Sequence, residues 1–369
     1  MSSALFEPIA LRGVELPNRI VVSPMCQYGS EDGNASEWHT IHLGSLSMSG
    51  AGLLILEATG VEPRGRITPK CLGLWSDENE ASLGRVLDLC REYGSATLGI
   101  QLGHAGRKAS VRPPFEGGTP LEPGEGAWTT VAPSPIPFED GWHTPEELDR
   151  AGMDEVIAAF VQAARRADRI GLQLIEIHAA HGYFLSEFLS PLANRRSDAY
   201  GGSLANRMRF PLEVFEAVRA AFDDQKPVGI RFNGTDWHEE GLGPDDAVAF
   251  AKELKALGCD YACLSSGGNA NVRIPLKPGY QVEFATRVRT ESGLPTMAVG
   301  MIREPALAER IVAEGKADMV ALARGFLYEP HWGWRAAEEL GGDIVYPIRY
   351  GRGAPARWPQ AFEHRSAAE

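Results

Sequence analysis

Short apolar runs alternate with helix-like stretches along the whole chain. The runs are Ile20–Val22, Leu53–Leu56, Thr97–Leu102, Leu172–Ile177, Val228–Phe232, Tyr261–Leu264, Thr296–Val299 and Met319–Leu322, and each reads as a strand. Between them, Glu78–Tyr93, Met153–Ile170, Leu204–Phe222, Asp245–Leu257, Gln281–Glu291 and Pro305–Glu314 repeat apolar residues at helical spacing. Strand then helix, eight times over, predicts an α/β fold: one (β/α)8 barrel, a TIM barrel, spanning 1–369. A doubly wound sheet would usually open with a Gly-rich dinucleotide fingerprint. Gly50-Ala51-Gly52 precedes a strand instead and reads as a helix stop and turn.

Two segments break the rhythm. The Pro/Gly-rich stretch 103–149, after the third strand, is too long for a plain connection and is expected to form a lid over the catalytic face. Its Trp142 is expected in a small core of its own. The tail 341–369 carries a Pro-, Arg- and Gly-rich run, Tyr346–Phe362, and is not expected to form a ninth helix. It is expected to reach a neighbouring subunit, as a homodimer or higher homo-oligomer would require.

Composition narrows the class. A length of 369 residues could hold two or three domains, but barrels with insertions reach this size as one. A net charge of −13 argues against nucleic-acid and anionic-membrane partners and says nothing about a small-molecule substrate. The five cysteines contain no C-x-x-C pair, which speaks against a zinc knuckle, an iron–sulfur cluster or a disulfide framework. With no signal-like start and no membrane-length apolar run, a reducing cytoplasm is the expected compartment.

The chemistry is expected where strands end, at the carboxyl edge of the barrel. His178-Ala179-Ala180-His181-Gly182-Tyr183 stands directly after the fourth run. Two imidazoles can grip one carbonyl or nitro oxygen while a phenol delivers a proton. Other strand ends bring Ser23-Pro24-Met25-Cys26-Gln27-Tyr28, Glu57-Ala58-Thr59, Gln101, His104, Arg231, Gly300 and Ala323-Arg324-Gly325. Gly300 and Arg324 occupy the loops where such barrels commonly bind phosphate. Arg231 needs an anionic partner, and a reduced flavin carries one.

Cys26, in a polar strand-end setting, is read as functional, and the other four cysteines as packing residues. Asp198 and Asn206-Arg207 are read as bracing a loop and capping the next helix. A different chemistry also fits the pair. His178 and His181 could be ligands of a metal-dependent barrel hydrolase if a third ligand such as Glu176 joined them. No lysine stands at these strand ends, which speaks against a Schiff-base aldolase.

The chain resembles the Old Yellow Enzyme family of FMN-dependent ene-reductases over nearly its full length, most closely the thermophilic-like bacterial subgroup. Pro24–Tyr28, His104–Lys108, His178–Tyr183 and Phe188–Arg207 carry the resemblance. It implies FMN as cofactor, NADPH or NADH as reductant, and an enone or nitro compound as substrate. It also implies that Ser23, Pro24, Met25, Ala58, Gln101 and Arg231 hold the flavin ring, and that Gly300, Ala323 and Arg324 hold its phosphate. Cys26 would tune the flavin, Tyr28 would line the substrate pocket, His178 and His181 would bind the substrate oxygen, and Tyr183 would protonate the α-carbon. An arginine and an aromatic residue of the partner subunit's tail would enter the site, with Tyr350, Arg352 and Trp358 as candidates.

Overall fold

The apolar runs pair side by side, all parallel, and close into a barrel in which every strand neighbours its successor in sequence. The computed structural model describes residues 3–362. The strands are β1 (Ile20–Val22), β2 (Leu53–Gly60), β3 (Thr97–Gly103), β4 (Leu174–Ala179), β5 (Val228–Asn233), β6 (Ala262–Ser265), β7 (Thr296–Ala298) and β8 (Met319–Leu322). The longer helices are α1 (Glu37–Ser47), α2 (Asp77–Tyr93), α3 (Arg150–Arg169), α4 (Leu204–Ala221), α5 (Pro244–Ala256), α6 (Val282–Ser292), α7 (Pro305–Ala313) and α8 (Trp332–Leu340), and two short ones, Phe184–Leu189 and Arg324–Tyr328, stand in the loops after β4 and β8. β8 hydrogen-bonds to β1 and closes the ring.

All eight expected strands are present, with edges moved by a few residues. Leu172 lies before β4, because its N–H bonds to Ala167 O while Gly171 (φ 77°) ends α3 in the left-handed conformation. Outward-facing residues of the strands bury against the helices in one continuous apolar layer. A second cluster fills the barrel, with Val21, Leu53, Leu174, Tyr261, Met297 and Met319 among its members.

An element absent from the sequence reading completes that inner cluster. Ile9–Leu11 and Val14–Leu16 form an antiparallel hairpin, and Leu11 and Leu16 pack into the cylinder beside residues at the strand starts. The hairpin therefore stops the amino-terminal end of the barrel.

The segment between β3 and α3 is irregular apart from short turns and a two-residue pairing of Val131–Ala132 with Glu146–Glu147. Arg196 fastens it by donating to Pro133 O at 3.1 Å and Leu148 O at 2.7 Å. Trp142 packs edge-on against Phe138, with ring centroids 4.9 Å apart. Phe115 meets Tyr28 edge-on at 6.1 Å, which brings the segment to the rim of the carboxyl face.

Asp198 pairs with Arg196 at 2.6 Å and Asn206 bonds to Gly201 O, while the cap of α4 is Ser203, whose hydroxyl accepts from the Asn206 N–H. Beyond Leu340 the described residues form only short 3-10 turns, Ile348–Gly353 and Pro359–Ala361. Residues 363–369 of the expected tail lie outside the described residues.

Candidate active site

β4 carries His178 as its next-to-last residue, and the chain then turns sharply. His181 and Gly182 both adopt positive φ, 62° and 70°. A Cβ on Gly182 would lie 1.9 Å from Gly268 O, so only glycine lets the two loops touch. The turn brings both imidazoles and the phenol to one place. The His178 ring stands 5.1 Å from that of His181 and 5.1 Å from that of Tyr183, nearly perpendicular to each.

The bonding fixes the tautomer of His178. The Ala180 N–H donates to His178 Nδ1 at 3.2 Å, so the proton sits on Nε2. That Nε2 lies 3.4 Å from His181 Nδ1, and His181 Nε2 lies 2.7 Å from Ser265 Oγ. Burial, with Arg231 and Lys108 nearby, pushes His178 down to about 3. Burial, Arg231 and His178 likewise hold His181 well below the usual histidine range. Both rings are neutral N–H donors at physiological pH. Burial lifts the Tyr183 hydroxyl well above the ordinary tyrosine range, so it remains a proton-bearing phenol.

Strand register sets the neighbours. His178 faces Arg231 across β4 and β5, and Gln101 faces Glu176 across β3 and β4. Arg231 donates to Ser23 Oγ at 2.9 Å, yet its buried Nε has no partner among the described residues. Glu176 does not join the histidines. Its carboxylate, fully buried, accepts from Gln101 Nε2 at 2.7 Å and from the Tyr261 hydroxyl at 3.2 Å. The third ligand required by the metal reading is thus bound elsewhere, and the described residues contain no other His, Cys, Asp and Glu group suited to a metal.

Lysine enters after all. The loop after β3 folds back so that Lys108 Nζ donates to His181 O at 2.9 Å and Gly268 O at 3.2 Å. The same ammonium sits 5.2 Å from the Tyr183 ring centroid and 4.4 Å from that of Phe138. Burial and the like charge of Arg107 bring it down to about 8. Lys108 escaped the strand-end reading because it stands five residues beyond β3.

On the opposite wall, the loop after β1 carries Cys26 and Tyr28, the latter at φ 51°. Burial, Cys71 and Glu57 together lift the Cys26 thiol well above its ordinary value. A register shift between Leu56 and Ala58 in β2 re-aims the side chains there. Glu57 accepts from the Gln27 N–H at 3.2 Å and lies 3.2 Å from His39 Nε2, and both members of this ion-pair contact are buried. His39 was invisible to the sequence reading, since nothing in its spacing on α1 marks it as different from a packing residue.

A cleft of about 810 Å³ runs from this mouth outward between the loops after β7 and β8. Ser23, His181, Arg231, Gly300, Ala323 and Arg324 all line it, together with Tyr280 and Gln281, which the sequence reading did not single out. Ala58, His178 and Tyr183 line a small adjoining pocket. Gly300 has φ 112°, and a Cβ there would stand 3.2 Å from Gln281 N, so a side chain would crowd the cleft floor.

His104 lines that small pocket too, its ring held by two bonds: Nδ1 accepts from the Gly106 N–H and Nε2 bonds to Glu62 Oε1 at 2.8 Å. Within the chain, Tyr350 packs on His331 and Trp334 of the α8 region, while Arg352 and Trp358 are exposed and line neither pocket. No helix among the described residues is long and apolar enough to cross a membrane.

A barrel with neutral donors at its mouth and an arginine-lined cleft leading outward has the build of a TIM-barrel enzyme that takes an anionic ligand. Sequence comparison then specifies it: the chain belongs to the NADH:flavin oxidoreductase / NADH oxidase family, whose profile matches residues 4–342. It is 45% identical to an NADPH dehydrogenase of Geobacillus thermodenitrificans (strain NG80-2) over 96% of this chain and 99% of that protein. It is 41% identical to an NADPH dehydrogenase of Bacillus subtilis (strain 168) over 96% of this chain and all of that one. Among solved structures, morphinone reductase superposes with a TM-score of 0.76 at 29% identity, covering 94% of this chain and 92% of the other. The resemblance to Old Yellow Enzymes holds, and the protein is a flavin oxidoreductase that uses FMN and a reduced nicotinamide nucleotide.

The residues present fit FMN. A flavin offers an anionic ring edge and a phosphate, and the cleft provides a buried unpaired guanidinium N–H at Arg231 and a second arginine, Arg324, beside Gly300.

Proposed function

We propose that this enzyme reduces the C=C bond of α,β-unsaturated carbonyl or nitro compounds, with NADPH or NADH as electron source. One observation carries the reading: two neutral imidazoles and a protonated phenol converge on one point of the mouth. Bound FMN supplies the hydride, taken from the nicotinamide. Everything else falls to the chain.

Ser23, Pro24, Met25, Ala58, Gln101 and Arg231 would hold the isoalloxazine, and Gly300, Ala323 and Arg324 the phosphate. Cys26 would stand beside the ring as a neutral thiol that adjusts its potential, and Tyr28 would line the substrate pocket. His178 and His181 bind the substrate oxygen through N–H donors. Their bonds strengthen as negative charge develops there, an effect worth about 10²–10³ in rate per donor. Tyr183 gives its proton to the α-carbon. The segment 103–149 would act as the lid, its Phe115 against Tyr28 and its Phe138 over Lys108 supporting that role. The tail, with Arg352, Trp358 or Tyr350, would complete the site of a partner subunit in a homo-oligomer.

The test uses the purified yellow protein under anaerobic conditions. NADPH should bleach the visible spectrum, and 2-cyclohexenone should restore it in the wild type. The His178→Ala, His181→Ala double variant should keep its flavin and its bleaching at high NADPH, and lose recovery by enone. Unimpaired recovery in that variant would remove the oxygen-clamp reading.

A further inference from the structure

The left-handed turn that presents His181 is held from behind. A non-glycine residue at φ 62° occupies a sparsely populated region and needs surroundings that fix it there. Side chains take both amide protons of the turn. The His181 N–H donates to Asn233 Oδ1 at 3.2 Å, and the Gly182 N–H to Ser186 Oγ at 3.3 Å.

Both acceptors lead to one carboxylate. Asn233 Nδ2 donates to Asp236 Oδ1 at 3.2 Å and to Gly267 O at 2.8 Å, which leaves its oxygen facing His181. Asn269 Nδ2 donates to the same Asp236 Oδ1 at 2.8 Å and to Ser186 Oγ at 3.0 Å. Asp236 Oδ2 accepts from the Ser190 hydroxyl at 2.6 Å and from the Leu242 N–H at 2.9 Å. Asp236 is fully buried and forms no ion pair among the described residues. An unpaired buried carboxylate persists only where donors satisfy it, and here four do so. Lys108 grips the His181 carbonyl from the other side, so both peptide groups of that residue are anchored.

We infer that Asp236 is the positioning residue of the substrate clamp, acting through a fork whose prongs are Asn233 to His181 and Asn269–Ser186 to Gly182. The inference rests on the reading of His178 and His181 as the oxygen clamp. Asp236 touches no reacting atom. It determines where the His181 imidazole stands when substrate arrives, and misplacement by an ångström costs about 10²-fold in rate at worst.

The test compares Asn233→Ala, Ser186→Ala and Asp236→Asn holoenzymes with the wild type. Asp236→Asn keeps the shape but replaces one acceptor oxygen with a donor, so two of the four donors lose their partner. Amide hydrogen exchange read by mass spectrometry should accelerate about tenfold or more in the segment 178–184 while β3 and β7 keep their protection. The KM for 2-cyclohexenone should rise about tenfold, and reoxidation of the reduced enzyme by dioxygen, which needs no carbonyl clamp, should stay within about twofold.

Unchanged exchange in all three variants would overturn the fork. So would loss of protection throughout the barrel, which marks a general brace, or a loosened segment with an unmoved KM. Should wild-type enzyme fail to oxidise NADPH with the enone, the clamp reading falls while exchange still decides the fork, since that measurement needs no substrate.

Discussion

His178 and Arg231 are register partners on adjacent strands, so a neutral imidazole works beside a permanent cation. Burial comes first and the guanidinium second in holding His178 at about 3, far below the ordinary 6.5. The same influences lower His181.

The KM for an enone should therefore be flat between about pH 5 and pH 8, where an ordinary histidine would titrate. The stability sign follows from the same shift. Below pH 6.5 the unfolded chain binds protons that the folded histidines refuse, so this pair destabilises the fold progressively as pH falls toward 3. A KM profile with an inflection near 6.5 would contradict the neutral-clamp picture.

Tyr183→Phe removes the proton and keeps the ring. Enone turnover should fall by about 10²–10⁴, the range of general acid catalysis, with NADPH-driven bleaching preserved within a few-fold. Stopped-flow separation of the two half-reactions checks this. Slower bleaching with normal enone turnover would assign the proton elsewhere.

Cys26 is half-buried, and its thiol is raised by burial, Cys71 and Glu57, so it should resist alkylation. Iodoacetamide at pH 8 should label the folded protein at Cys26 far more slowly than a small-molecule thiol, and label it fully after denaturation. Cys26→Ala should also shift the flavin midpoint potential. Rapid labelling in the folded state would show a thiolate and exclude the neutral-thiol role.

His39→Ala would leave the Glu57 carboxylate buried with little beyond the Gln27 N–H to satisfy it. The expected cost is about 3 kcal/mol, since stranding a buried charged group is worse than never burying it. Thermal unfolding at fixed FMN concentration measures it, and an unchanged midpoint would mean water satisfies Glu57 instead.

The barrel was legible because a strand covered on both faces is a compact apolar run, and eight such runs at regular intervals admit few arrangements. The hairpin Ile9–Leu16 was not, since its two strands have three residues each and supply no period to detect. Among site residues, His178, His181, Tyr183, Arg231, Gly300 and Arg324 stood out because each lies at or near a strand end, where topology alone brings them together. Lys108 and the Asp236 fork did not. Their roles depend on loops folding across one another, 73 residues apart for Lys108 and His181 and 52 for Asn233 and His181. His104, which follows a strand closely, lines the small pocket with His178 and Tyr183, and Glu62 holds its ring there.

The packed inner cluster, with Leu11 and Leu16 at its foot, bars passage through the cylinder and leaves the carboxyl face as the door. On the proposed chemistry, nicotinamide donor and olefin acceptor queue at that one threshold, each barring the other. Double-reciprocal plots should run parallel, and an excess of either reactant should slow turnover by occupying the entrance out of turn.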